Sequence, residues 1–319
     1  MLLALFTAGV LPVALLLARS PTPAQNNYPS RPVRMVTSEV GGGTDLGARL
    51  VARGMASLLG QPVIVENRGG ASGALAADVV VKASPDGYTM LYYTNALWLT
   101  PFMRDNVGYD PVRSFSPIIL VAKSPSVLVV HPSVPVSSVK ELIALAKAKP
   151  GQLNYGSGAA GMLAMELMKA MAGINIVRVP YKGAGPALTA AMAGEIQVLM
   201  AASGSIGAQI KAGRVKALAV TSAIRSLAFP DLPTIAEAAL PGYENVAVFA
   251  MFAPARTPAA IVNRLNRDAA QVLAQPDVKS TLLAAGIEVA GGSPEQLAAA
   301  IKTEMTTMGK VIKDAGIRE

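Results

Sequence analysis

The chain contains no cysteine, so disulfide frameworks, thiolate metal centres, iron–sulfur clusters and cysteine nucleophiles are excluded. It contains one histidine, His131. A histidine-rich metal site is excluded with it, and any Ser-His-Asp triad would have to run through that residue. Aromatic residues make up only 5% of the 319 positions and charged residues only 15%. Basic side chains outnumber acidic ones, 28 to 20, for a formal charge of +8, yet they stand scattered and never form a run of five. Nucleic-acid-binding surfaces cluster basic residues and interleave aromatics, so no nucleic-acid partner is expected. The charge suits small anionic partners and, equally, a surface whose charge serves only solubility.

What the chain has in quantity is apolar residues, at 52%, which excludes a disordered polymer. A length of 319 residues suggests two domains at ~150 residues each. A chain of this size buries roughly 75% of its unfolded surface, so it needs no covalent or metal staple.

Residues Leu2 to Ala18 are almost all apolar, but the run falls short of the ~20 residues that span a bilayer, and Pro12 interrupts it. A short, small-residue stretch through Ala24 follows. This pattern reads as a signal peptide over residues 1–24, cleaved to leave Gln25 first, and places the mature protein in a bacterial periplasm.

Beyond it, short apolar runs alternate with helical spacing, which predicts an α/β fold with a largely parallel sheet. Strands are expected at 31–37, 62–66, 89–93, 117–122, 126–130, 153–155, 177–180, 196–200 and 215–221. Helices are expected at 46–59 and 162–171. A further helix should begin at the capping box of Ser138 and Glu141. Thr257-Pro258 and Ser293-Pro294 each read as an N-cap followed by proline at N1, so the last 60 residues should be mostly helix.

Strand, glycine loop and helix occur in that order twice. The first loop is Gly41-Gly42-Gly43-Thr44-Asp45, after Ser38. Glycine lets a carboxylate approach the backbone, Thr44 can donate a hydroxyl, and Asp45 at a helix start is most simply a cap. The second loop, Gly156-Ser157-Gly158-Ala159-Ala160-Gly161, follows Tyr155 and matches G-x-G-x-x-G. That motif keeps open an NADP-linked oxidoreductase, with Arg178 or Lys182 in place of the usual acidic residue ~20 positions on. An export signal argues against a cytoplasmic cofactor. Both loops present backbone N–H groups at a helix N-terminus, where a partial positive charge gathers. Two such termini facing each other would hold a small ligand with anionic ends. Tyr181-Lys182-Gly183 forms a third polar turn, and Thr94-Asn95 could place two polar side chains at a cleft. Trp98 is assigned to core packing and His131 to a strand end. No catalytic carboxylate pair, P-loop or metal motif is present.

Several segments together carry a family resemblance. They include Tyr28-Pro29-Ser30-Arg31-Pro32, the Gly41–Asp45 loop, Leu59-Gly60-Gln61-Pro62, Pro85-Asp86-Gly87-Tyr88, Leu153-Asn154-Tyr155-Gly156-Ser157 and Val179-Pro180-Tyr181-Lys182-Gly183. In this order the chain, over residues 28–319, resembles the periplasmic substrate-binding proteins of tripartite tricarboxylate transporters, the TctC or Bug family. The resemblance implies a two-domain type II periplasmic-binding-protein fold with an interdomain ligand cleft. The implied domains are 25–127 plus 250–319, which is discontinuous, and 128–249. It implies a monomer that captures a di- or tricarboxylate, acidic amino acid or aromatic acid, with membrane transporter subunits as partners. No cofactor and no catalysis are implied. A periplasmic sensor for a signalling partner is the remaining alternative.

Three departures from the family pattern bear on the ligand. Thr37-Ser38-Glu39-Val40 replaces the usual Pro-Phe-Ala-Pro and brings a carboxylate near the first loop. The second loop is shorter than in relatives, and Ala201 stands where they often have aspartate. These departures predict a roomier, more apolar pocket that favours a bulky or aromatic acid.

Overall fold

The apolar runs that set the alternation become strands whose ends are closed by glycine turns. The structure is a computed structural model that describes residues 28–38, 40, 42–69, 74–157, 159–181 and 184–318. The expected signal peptide and Gln25, together with Glu39, Gly41, Gly158, Lys182 and Gly183, lie outside the described residues.

In chain order, β1 (Val33–Thr37) leads to α1 (Gly42–Leu59), β2 (Val63–Asn67) to α2 (Ala74–Val81), and β3 (Thr89–Thr94) to α3 (Ala96–Met103). The long strand β4 (Phe115–Val130) comes next, then α4 (Val139–Ala148). The alternation resumes with β5 (Asn154–Ser157), α5 (Ala159–Ala172), β6 (Val177–Pro180) and α6 (Ala184–Ala193). It continues through β7 (Val198–Ala202), α7 (Ser203–Lys211), β8 (Lys216–Val220) and the single turn α8 (Ile235–Ala238). β9 (Val246–Pro254) is followed by α9 (Ala259–Leu273), α10 (Pro276–Ala284), β10 (Glu288–Val289) and α11 (Pro294–Asp314).

The strand order is β2-β1-β3-β9-β4-β7-β5-β6, with β8 and β10 also on β4. One half of β4, through Pro125, pairs antiparallel with β9. The other half, from Ser126, pairs antiparallel with β7, and from Val127 with β8. Strand direction follows from these pairings. β1 is parallel to β3, and β3 is antiparallel to β9, so β1 and β3 run with β4. β5 is parallel to β7, so both run against β4. The two halves of this mixed sheet therefore send their strands toward each other, and the C-terminal ends of both sets point to the level of Pro125 and Ser126.

β4 is one element of 16 residues where the sequence reads as two strands. Lys123-Ser124-Pro125 looks like a break because proline removes a ladder donor. Here Pro125 falls at the change of partner, where one ladder ends and another begins. β9 escapes sequence reading for a different reason. Seven of its nine residues are fully buried in an unbroken run, which hides the period-two signature of a one-sided strand.

The helix ends divide in the same way. Ser293 caps α11 by accepting from Gln296 N, with Pro294 at N1, as the sequence predicts, and Gln296 completes a capping box by reaching back to Ser293 N. Ser138 accepts from Glu141 N, but the Glu141 carboxylate accepts from Ser137 N instead of Ser138. At α9 the cap position falls to Pro258, and the Thr257 hydroxyl closes a turn by donating to Pro254 O at 2.7 Å.

Helices cover both faces. α1 and α9 pack on Met35, Met90 and Tyr92, while α2, α3, α5 and α11 pack on the opposite face with Trp98, Tyr155 and Phe252. Phe252 stands edge-to-face between Trp98 and Phe115. Each such side chain contributes roughly 1.5–3 kcal/mol by leaving water.

Candidate functional site

The strand directions place the loops after β1 and β3, and those after β5, β6 and β7, at one level of the molecule. The first glycine loop is fastened there by its own polar side chains. Asn67, at the end of β2, donates to Ser38 O at 3.1 Å and to Asp45 Oδ1 at 2.9 Å. Arg49 pairs with Asp45 at 3.0 Å and donates to Asn67 Oδ1 at 2.9 Å. Asp45, buried, thus ties the helix start to the neighbouring strand. Thr44 is half-buried in the first turn of α1.

Gly43 and Gly47 of α1 are packing positions. A methyl on Gly43 would lie 3.0 Å from Ile287 Cδ1 and 3.2 Å from Phe249 Cζ. A methyl on Gly47 would lie 2.1 Å from the Tyr92 hydroxyl, so a side chain there requires the phenol to shift. The Tyr92 hydroxyl and Thr37 Oγ1 are buried without a hydrogen-bond partner among the described residues. Such burial costs roughly 1–3 kcal/mol per group. Burial raises the Tyr92 phenol well above its usual range, so it stays a neutral donor. Both groups sit beside the loop, at the C-terminal ends of β1 and β3.

The second loop is tighter. A methyl on Gly156 would lie 2.3 Å from Ile196 Cδ1 and 3.1 Å from Tyr181, and one on Gly161 would lie 2.8 Å from Met200 O. The first and last of the three glycines of the G-x-G-x-x-G match are therefore accounted for by strand and helix packing alone. Tyr155 is fully buried, and its hydroxyl donates to Glu166 Oε1 at 2.5 Å. Lys169 reaches the same oxygen at 2.7 Å. Burial, with the Glu166 contact second, raises the Tyr155 phenol far above its usual range. Its side chain points into α5. Ser157 closes β5, Ala159 opens α5, and Gly158 between them lies outside the described residues, as do Lys182 and Gly183 after the half-buried Tyr181.

Thr94 ends β3, and Asn95 follows it at the cap position of α3. Thr94 Oγ1 accepts from Ala96 N at 3.3 Å. Asn95 donates to Val246 O at 3.1 Å and to Glu304 Oε1 at 2.6 Å, which commits its amide to β9 and α11. Ala201 is buried with Val127 and Leu199 under α6 and α7. Its methyl fills core there. Trp98 is buried against Phe252, as expected, and His131 Nδ1 meets Ser133 Oγ at 2.7 Å just past the end of β4.

Sequence reasoning missed a third point of contact. Gly286 O accepts from Ser203 Oγ at 2.9 Å and from Ser124 Oγ at 2.8 Å. Glu288 accepts from Ser226 Oγ at 2.5 Å and from Leu227 N at 3.0 Å. The short 286–288 segment thereby joins α7 and the loop after β8 to the first half. No local spacing signals this, because Ser203 and Gly286 are far apart in the chain. Among the described residues no group of three acidic or histidine side chains could hold a metal ion.

Two α/β halves with converging strands, joined through the shared strand β4 and carrying a helix N-terminus on each side, define a bilobal solute-binding protein. The sequence model of the tripartite tricarboxylate transporter family receptor matches residues 47–317, and the chain belongs to that family. This is a family of solute-binding receptors. The chain is 39% identical over 307 residues to an uncharacterised-family protein encoded between tcbD and tcbE in Pseudomonas sp. strain P51, covering 94% of this chain and 91% of that one. It is similar to an R. palustris protein solved with adipate, at 38% identity and a TM-score of 0.77, covering 91% and 99% of the two chains. It is also similar to MatC of Rhodopseudomonas palustris with bound malate, at 30% identity and a TM-score of 0.73, covering 89% and 100%.

Proposed function

We propose that this receptor captures a small organic acid between its halves in the periplasm, as a monomer, and delivers it to the membrane subunits of a tripartite transporter. The observation that carries this reading is the convergence of strand ends, which brings the N-termini of α1 and α5 to one level. Helix N-termini are ready anion sites. The ligand residues of this reading are Ser38, the Gly41–Asp45 loop, Thr94, the main chain of the Tyr155–Ala159 loop and the Tyr181–Gly183 turn; the Asn95 amide and the Ala201 methyl, spent on β9 and α11 and on the core, drop out of it. Backbone N–H groups do most of the holding at the two glycine loops. Thr37 and Tyr92 add donors beside the first of them. The adipate and malate of the two R. palustris proteins support a dicarboxylate, and aromatic acids remain in the same chemical class.

In this reading the domains are 25–127 with 250–319, and 128–249. The partner change of β4 at Pro125–Ser126 supports the first boundary, and the start of β9 at Val246 draws the second a few residues earlier. The test is a thermal-shift and calorimetric panel on the chain from Gln25, with adipate, malate, citrate, glutamate, benzoate and NADPH. A true ligand at a hundred times its Kd adds about 2.7 kcal/mol of stability. A dicarboxylate or benzoate should raise the midpoint. A response to NADPH alone would replace the receptor with an oxidoreductase. Loss of uptake of the same acid on gene deletion separates transport from signalling.

A further inference from the structure

A cavity of about 390 Å³ lies between α3, α11 and the stretch where β4 and β9 run together. That volume is within the range of small-molecule sites, ~300–1,000 Å³. Trp98, Leu120, Val246, Val248 and Leu297 supply apolar walls, and the described lining takes no residue from either glycine loop.

The polar part of the lining on α11 is made of acceptors. Glu304 is held by one donor on each oxygen, Asn95 Nδ2 on Oε1 at 2.6 Å and Trp98 Nε1 on Oε2 at 3.0 Å. A carboxylate has about four acceptor positions, so it can take more. Thr303 and Thr307 flank it one position before and three after. Their hydroxyl protons are used on Ala299 O and Thr303 O of their own helix, at 3.1 and 3.0 Å. Only their lone pairs are left for the cavity. The one basic residue of the lining, Lys123, is paired with Glu244 at 3.1 Å. No cation among the described residues stands within ion-pair distance of Glu304. Burial holds this carboxyl above its usual range, with the Asn95 and Trp98 donors working the other way.

We propose that this cavity is a second binding site, for a small organic ammonium with a short apolar body. The ammonium donates to Glu304 and the two threonine oxygens, and the body lies against the apolar walls. A part-buried carboxylate with no cation beside it gains from a charged partner. The α11 side of the lining, acceptors only, favours a cation, while the donors elsewhere in the lining are Lys123, paired with Glu244, and the Asn245 amide, turned to Met308 Sδ at 3.9 Å. The site is independent of the acid-binding reading above, since the two share no ligand chemistry.

Trp98 is the chain's only tryptophan. Its indole N–H therefore gives one resonance, and that proton already touches the carboxylate in question. Cyclohexylammonium titrated into the full mature protein should move this resonance saturably, with a midpoint below about 10 mM. Cyclohexanecarboxylate should not move it, and cyclohexanol should bind at least about tenfold more weakly. Glu304→Gln should abolish the response. Where that variant unfolds, Ala300→Leu at the exposed rim blocks the cavity and leaves the carboxylate in place. Absence of saturation, an equal response to the carboxylate, or a response that survives either folded variant would overturn the proposal.

Discussion

The first and second glycine loops occupy matching places in the two halves, each between a strand end and a helix start, yet their glycines meet different neighbours. At the first, Gly43 of the loop and Gly47 just past it in α1 face side-chain atoms of Ile287, Phe249 and Tyr92. In the second, Gly156 faces the tip of Ile196, while Gly161 faces the main-chain oxygen of Met200. Side chains can turn aside, whereas a strand carbonyl cannot. The first loop is also tied down by the polar network of Asp45, Arg49 and Asn67, whereas the described part of the second is fixed by close packing. The same sequence cue therefore stands for two physical arrangements, and neither requires a nucleotide.

The sharpest way to break this comparison is Gly161→Ala. It should cost about 1–3 kcal/mol in urea denaturation, because β7 must move to admit the methyl. A cost near zero would mean that the second loop has slack and that the contrast is wrong. Gly47→Ala should come next, at about 1–2 kcal/mol, from overpacking against the Tyr92 hydroxyl. Tyr92→Phe removes that oxygen, so the double variant should recover at least about 0.5 kcal/mol relative to the sum of the single changes. Additivity would place the strain elsewhere in α1. The smallest effect is expected for Gly156→Ala, under about 1.5 kcal/mol, with Ile196→Val restoring much of it. A Gly156→Ala cost equal to that of Gly161→Ala would erase the distinction between movable and fixed neighbours.

The alternation of strands and helices was legible because amphipathic and apolar periods are local properties. Both glycine loops, the Ser293 cap and the family pattern were legible for the same reason. What stayed hidden depends on who pairs with whom. β4 reads as two strands because nothing local says that Pro125 falls between two ladders. β9 reads as featureless because burial on both faces removes its alternation. Asn95 reads as a cleft residue, and only the fold shows its amide spent on Val246 and Glu304. The Ser203–Gly286 contact and the Glu304 cavity join residues from remote parts of the chain, which spacing cannot report.

The double employment of β4 also constrains how the chain can change length. Successive side chains of a strand alternate faces, so a one-residue insertion turns everything beyond it over. Ile119 and Val121 belong to the core under α1 and α9, while Val127 and Val129 belong to the core under α6 and α7. Leu128 and Val130 serve the third core, on the other face. An added residue between Val121 and Val127 would leave the first half intact and present the second half of the strand inside out. β4 already absorbs extra residues against β9 at two bulges, Pro117–Ile119 and Leu120–Ala122, but beyond them its parity is shared by both halves, whereas the surface loops can lengthen or shorten one residue at a time.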